Sequence, residues 1–342
     1  MTRARQLLVL CSASAAIIGA LVGFFAGVGS LSQHGAARAS APTRPPARGA
    51  STGAAAGASQ TVLPSTRPSG FRLAAQRRRE RVFAAEKPDT PFTRLGEPRP
   101  GEWLYSFREP GQSYADYIGA RFNRRSARRH TLHLLPFDDL TRGQRALLPI
   151  LRDYLERFFL GLRVKVMRPA RMHASFVDAQ RGQVDAHAFA SAMAPLVPKD
   201  SLGVLGLTNH DLFIPGLNFV FGVGLFHQRA GLHSLRRYGH VPHVLLRRAL
   251  KLAAHELGHL LTIKHCVFYK CTMNGTNSLD EMDQQPLHAC PVDLLKLQHN
   301  LGFDVAERYR RLAAFYDKHD LPLDAHFARQ RARAARRAGQ SR

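Results

Sequence analysis

The chain has 342 residues, room for one large domain or two small ones. It carries 49 Lys and Arg against 25 Asp and Glu, a formal net charge of +24, which would suit nucleic acid or an anionic membrane. No stacking motif or DNA-reading element accompanies that charge, so it reads as solvated arginines and no specific nucleic-acid partner is expected.

Arg3 and Arg5 precede an uncharged apolar run from Leu7 to Leu31. At about 25 residues it exceeds an ordinary signal-peptide core and suffices to span a bilayer. The ARAS sequence at 37–40 offers a small-residue cleavage site, so 1–31 reads as a signal anchor or a signal peptide. The expected location is membrane-anchored and facing the periplasm or exterior, or secreted. Residues 32–70 are rich in Ala, Ser, Gly, Pro and Thr and have too few large apolar side chains to build a core. With the basic, proline-dotted 71–100 they form a flexible linker, and the folded part is expected to begin near Gly101.

From there strand and helix patterns alternate. TLHLLPF (131–137), RVKVM (163–167) and SLGVLGLT (201–208) read as strands, and NFVFGVGLF (218–226) as a strand or tight hairpin. Apolar residues at three-and-four spacing predict a helix over 141–160, with Thr141 as N-cap and Gly161 as stop. Pro149 falls inside it, so the helix is kinked there or starts only at the proline. Residues 186–194, 242–261, 291–301 and 304–320 read as further helices. The folded domain is bounded at 101–322, leaving a basic tail at 323–342.

The chemistry is concentrated in HELGHLLTIKHCVFYKCTM (255–273). Residues four apart on a helix lie on one face, so His255 and His259 can share one zinc ion. Glu256, one step round, is badly placed as a third ligand but well placed to take a proton from a zinc-bound water. His265 reaches the metal only if the helix ends and the chain turns back. Three histidines with an open position describe a catalytic site, not a closed structural one. Cys266, Cys271 and Cys290 either include a disulfide or, with one more ligand, hold a second, structural zinc. The fourth ligand is Asp293, with His288 as rival.

The combination of this histidine array with HC-x4-C-x-M and CPVD (290–293) resembles the archaemetzincin family of zinc metallopeptidases. GEWL, GQSYADY, LGLTNHDLF, NFVFG and SLRR further upstream extend the resemblance to roughly residues 100–300. It implies a mixed α/β (α+β) fold of the metzincin kind, a twisted sheet packed on two long helices with the zinc helix at the cleft. It also implies peptide-bond hydrolysis with Glu256 as general base, and Met273 as the methionine beneath the metal. The substrate-binding edge would be Asn218, Phe219, Val220, Phe221 and Gly222, taking a peptide or protein as an added strand. A monomer is expected. Three departures stand out. Thr262 occupies the position of a helix-ending glycine, the spacer from Met273 to Cys290 is one residue short, and Asp293 replaces the last cysteine. The competing reading is a catalytically impaired, zinc-stabilised binding protein at the membrane surface.

Overall fold

The structure is a computed structural model that describes residues 91–340, with side chains through 338. The apolar segment 1–31, the ARAS sequence and nearly all of the 32–100 linker lie outside the described residues. Among the described residues no helix is long and apolar enough to cross a membrane.

The helices are α1 (Trp103–Ser106), α2 (Tyr114–Gly119), α3 (Arg142–Ala146), α4 (Leu148–Phe158), α5 (Ala186–Met193), α6 (Pro242–Leu260), α7 (Leu279–Asp283), α8 (Pro291–Leu301), α9 (Val305–Lys318) and α10 (Pro322–Gln340). The strands are β1 (Thr131–Pro136), β2 (Arg163–Val166), β3 (Val177–Asp178), β4 (Gln183–Asp185), β5 (Ser201–Thr208), β6 (Leu212–Phe213), β7 (Gly222–Leu225) and β8 (Ala230–Ser234). The main sheet has the order β2-β1-β5-β8-β7. Its first four strands are parallel, and β7 joins the edge antiparallel to β8. A small sheet, β3-β4-β6, lies apart.

The mixed α/β architecture follows from the sequence pattern. Every residue of β1 and β5 is buried, as expected for central parallel strands covered on both faces, and this is why both read as unbroken apolar runs. Helices α4 and α6 pack on one face of the sheet, while α5 packs against β7 and β8. The helix expected over 141–160 is two helices. Thr141 caps α3 in a reciprocal box with Gln144, the chain breaks at Leu147, and Pro149 sits in the first turn of α4. Proline lacks the N–H that a continuous helix would need there. Gly161 then turns the chain with φ of 104°.

At both ends the folded body extends past the expected limits of 101 and 322. Phe92 is buried, Leu95 N–H donates to Phe268 O at 3.0 Å, and Lys270 N–H donates to Thr93 O at 2.8 Å. Beyond residue 322 the chain continues as α10, which packs along α9 and buries Ala325, Ala328 and Ala332.

Candidate active site

Helix α6 starts on a proline in its first turn, and its second half is buried all round, including His255, Glu256 and His259. Two imidazoles inside a protein need partners. His255 Nδ1 lies 2.9 Å from Thr272 O, and His259 Nδ1 lies 2.7 Å from Ile263 O. A carbonyl can only accept, so both Nδ1 atoms carry the proton and both Nε2 atoms present lone pairs. Those Nε2 atoms are 3.0 Å apart. Two lone pairs facing each other at that distance repel unless a cation lies between them. Tetrahedral zinc with bonds of about 2.0–2.1 Å would set the two nitrogens about 3.3 Å apart.

His265 completes the group. One ring nitrogen from each of His255, His259 and His265 lies within 4.8 Å of the others. His265 Nδ1 is held by Glu109, 2.8 Å from Oε1 and 3.1 Å from Oε2, which leaves its Nε2 for the shared centre. Burial, with neighbouring His265 adding a smaller effect, lowers the His255 pKa to about 3. Burial pushes His259 well below its ordinary value too, with His255 and His265 adding to it. Both are therefore neutral at neutral pH, the form that binds metal. The histidine set fits a zinc ion.

Delivery of His265 depends on how α6 stops. Thr262 has φ of 69°. Its N–H donates to His259 O at 2.8 Å, and Ile263 N–H donates to Gly258 O at 3.1 Å. This is a Schellman motif with a threonine in the left-handed position usually held by glycine. The left-handed turn expected at this position is kept with threonine in it. Part of its cost is offset because Thr262 Oγ1 accepts the Asn123 N–H at 3.0 Å.

Two close approaches complete the pocket around α6. A Cβ added at Gly258 would lie 2.5 Å from Met273 Sδ, so the thioether rests directly against the helix between the two histidines. On the opposite side, β7 crosses Glu256 and His259. A Cβ at Gly222 would lie 2.6 Å from Glu256 Oε1, and one at Gly224 would lie 2.6 Å from His259 Cβ. Glu256 is buried, its Oε2 has no partner among the described residues, and burial raises its pKa well above the carboxylate range.

The free sheet edge differs from the expected span 218–222. Asn218, Phe219, Val220 and Phe221 precede the edge strand, and Gly222 is its first residue. Their backbone is already committed. Val220 N–H donates to Leu212 O, Phe221 O accepts from Ser234 N–H, and Asn218 O accepts from Arg181 and Gln183. The outermost strand at this end of the main sheet is Gly222–Leu225.

Cys266, Cys271, Cys290 and Asp293 form the second group, all buried, with ligand atoms within 4.8 Å of one another. The three cysteines are free thiols. Cys266 Sγ and Cys290 Sγ are 3.6 Å apart, and Cys271 Sγ is 3.2 Å from Asp293 Oδ2. Zinc–sulfur bonds of about 2.3 Å around a tetrahedron give similar separations, whereas a disulfide needs about 2.05 Å. His288, the rival ligand, stacks on Phe327 instead, with ring centroids 3.8 Å apart and planes at 11°. Asn274 stitches the cysteine loop: its Oδ1 accepts from Cys271 N–H, and its Nδ2 donates to Cys266 O and Tyr269 O. Buried Lys296 lies 2.7 Å from Asp293 Oδ1.

Glu109, Asn274 and Lys296 are site residues that the sequence alone does not single out. Lys296 had a detectable signal, a lysine one turn past Asp293 on a helix face otherwise buried. Glu109 had none, since it meets His265 across 156 positions of sequence.

Residues 152–299 match the profile of Peptidase family M54. The chain is similar to Archaemetzincin-2 of Rattus norvegicus, 28% identical over 259 residues that cover 63% of this chain and 72% of that protein. It is 32% identical to Archaemetzincin-1 of Homo sapiens over 287 residues, 68% of this chain and 56% of that one. Among solved structures, the archaemetzincin of Methanopyrus kandleri is 29% identical, with a TM-score of 0.47 over 52% of this chain and 99% of its own.

Proposed function

We propose that this archaemetzincin-like zinc metallopeptidase hydrolyses peptide bonds with Glu256 as general base and His255, His259 and His265 as ligands of the catalytic zinc. The observation that carries the reading is the convergence of three unprotonated imidazole nitrogens beside a buried carboxylate with an unpartnered oxygen. Zinc, when bound, acidifies water and polarises the scissile carbonyl. Glu256 accepts the proton of the attacking water on its free oxygen. Glu256 then hands that proton to the departing amine. Thr272 O and Ile263 O keep the two helix histidines oriented throughout.

Substrate binds as an extended strand along β7, antiparallel to Gly222–Leu225, through main-chain hydrogen bonds. The glycines at 222 and 224 let that edge run close over Glu256 and His259, so the scissile bond lies near the histidines. Cys266, Cys271, Cys290 and Asp293 hold a second, structural zinc. Lys296 offsets part of the negative charge of three thiolates and a carboxylate. The protein works as a monomer held in the membrane by its apolar N-terminal segment, with the catalytic domain outside the cytoplasm. The uncharged run after Arg3 and Arg5 supports that placement.

The test is a mixture of unstructured peptides incubated with the full-length protein, with new termini identified by mass spectrometry. Cleavage that is abolished by a chelator and restored by zinc is the expected result. Cleavage indifferent to zinc would overturn the reading. For placement, cell fractionation should find the full-length chain in the membrane fraction. A soluble mature chain beginning near Ser40 would overturn the anchor.

A further inference from the structure

His255 and His259 stand on a helix, and each gives its second nitrogen to a neutral backbone carbonyl. His265 stands on a loop, with no helix to fix its ring. Its partner is a carboxylate that approaches with both oxygens, Glu109, at 2.8 and 3.1 Å. The same Glu109 Oε1 accepts the indole Nε1–H of Trp103 at 2.8 Å. Trp103 is anchored in turn. Its backbone N–H donates to both oxygens of Glu281, at 3.0 and 3.1 Å, and its ring meets His265 edge-on with centroids 5.4 Å apart. Trp103 is the chain's single tryptophan.

We propose that Glu109 is a positioning residue for the loop-borne zinc ligand His265, and that Trp103 locks the Glu109 carboxylate so that metal loading and the 103–109 segment are coupled. The proposal rests on the reading of His265 as a ligand. A charged acceptor orients the imidazole and raises its basicity more than a carbonyl does, and outer partners of this kind commonly change metal affinity 10- to 100-fold. The least constrained of the three histidines therefore has the strongest orienting partner. Removing the indole N–H frees one oxygen of that partner to turn away.

The experiment uses the full-length chain equilibrated with zinc and a graded series of chelator concentrations. Zinc per chain is measured by elemental analysis, and Trp103 emission is recorded at each step. In the wild type, emission should change in step with the loss of one zinc. Glu109→Gln should release that zinc at about 10- to 100-fold lower chelator concentration, with Glu109→Asp in between. The second zinc should leave at the wild-type concentration. The rise in Tm on adding zinc should shrink in Glu109→Gln relative to wild type, which loss of a merely structural ion pair would not cause. If Glu109→Gln does not fold, Trp103→Phe removes one hydrogen bond to the same carboxylate. It should shift release at least twofold in the same direction. Release within twofold of wild type in the folded variants, or emission blind to zinc loss, overturns the proposal. A wild type whose histidine set takes up no zinc overturns the parent reading, and this one with it.

Discussion

Thr262 holds a left-handed backbone, φ 69°, while its hydroxyl accepts the backbone N–H of Asn123 at 3.0 Å. The strain and the hydrogen bond belong to one residue, so substitutions separate them. A β-branched residue in this region costs about 1–2 kcal/mol. The buried N–H of Asn123 would lose about 1–3 kcal/mol without its acceptor. Thr262→Gly removes both, and its stability should stay within about 1 kcal/mol of wild type. Thr262→Ala keeps the strain and loses the acceptor, so it should cost about 1–3 kcal/mol. Urea unfolding of the zinc-loaded protein measures both. An alanine variant as stable as wild type would contradict the account.

The edge strand makes a second prediction. A methyl group on Gly224 would meet His259 Cβ and Glu256 O, neither of which can swing away. Gly224→Ala should destabilise by about 1–3 kcal/mol and push β7 off α6. It should lower kcat/KM at least tenfold while the cysteine-held zinc stays bound. Unaltered kinetics would show that β7 does not approach the helix this closely.

Acid sensitivity has a source outside the zinc ligands. His233 on β8 is fully buried, and among the described residues neither of its ring nitrogens has a partner. Burial, with His255 adding a smaller effect, lowers its pKa to about 3. The unfolded chain takes up this proton near pH 6.5 and the folded chain only near 3. Stability is therefore unaffected above 6.5 and falls as the pH drops through that window. His233→Phe removes the titration. Its stability relative to wild type should improve by about 2 kcal/mol between pH 8 and pH 5. Equal differences at the two values would contradict this.

The cysteine group is tested by metal content. Cys271→Ser should lower zinc from two to one per chain and cost at least about 3 kcal/mol, because a closed four-ligand site contributes directly to folding. One zinc in the wild type, together with a Cys266–Cys271 disulfide in non-reducing mass spectrometry, would dismiss the second site.

Much of this was legible in the sequence, for local reasons. The positions of His255 and His259 follow from helix periodicity. The limits of α8 at Pro291 and Leu301 follow from a proline in the first turn and Gly302 just after the last, with φ of 70°. Thr141 marks its boundary by capping chemistry, whereas Gly161 lies past the C-cap Phe159 and only turns the chain. The break at Leu147 was half legible, since Pro149 forbids a continuous helix without choosing between a kink and a new start. A strand was expected within 218–226 and the edge at 218–222 came from the resemblance; the strand occupies 222–225, and strand propensity does not separate NFVF from GVGL. Which of them lies on the edge is decided by the pairing of Leu212 with Val220, a non-local contact. Glu109 and the packing of α10 on α9 are tertiary for the same reason, and no periodicity encodes them.

The most direct test of the central claim separates metal binding from proton transfer. Glu256→Ala removes the base but no zinc ligand, so the purified variant should keep the wild-type zinc content and fold. Its hydrolysis of a peptide that the wild type cleaves should fall by at least about 10²-fold. Full zinc occupancy with lost turnover is the result this mechanism predicts. Turnover that survives the substitution, with zinc in place, would contradict it.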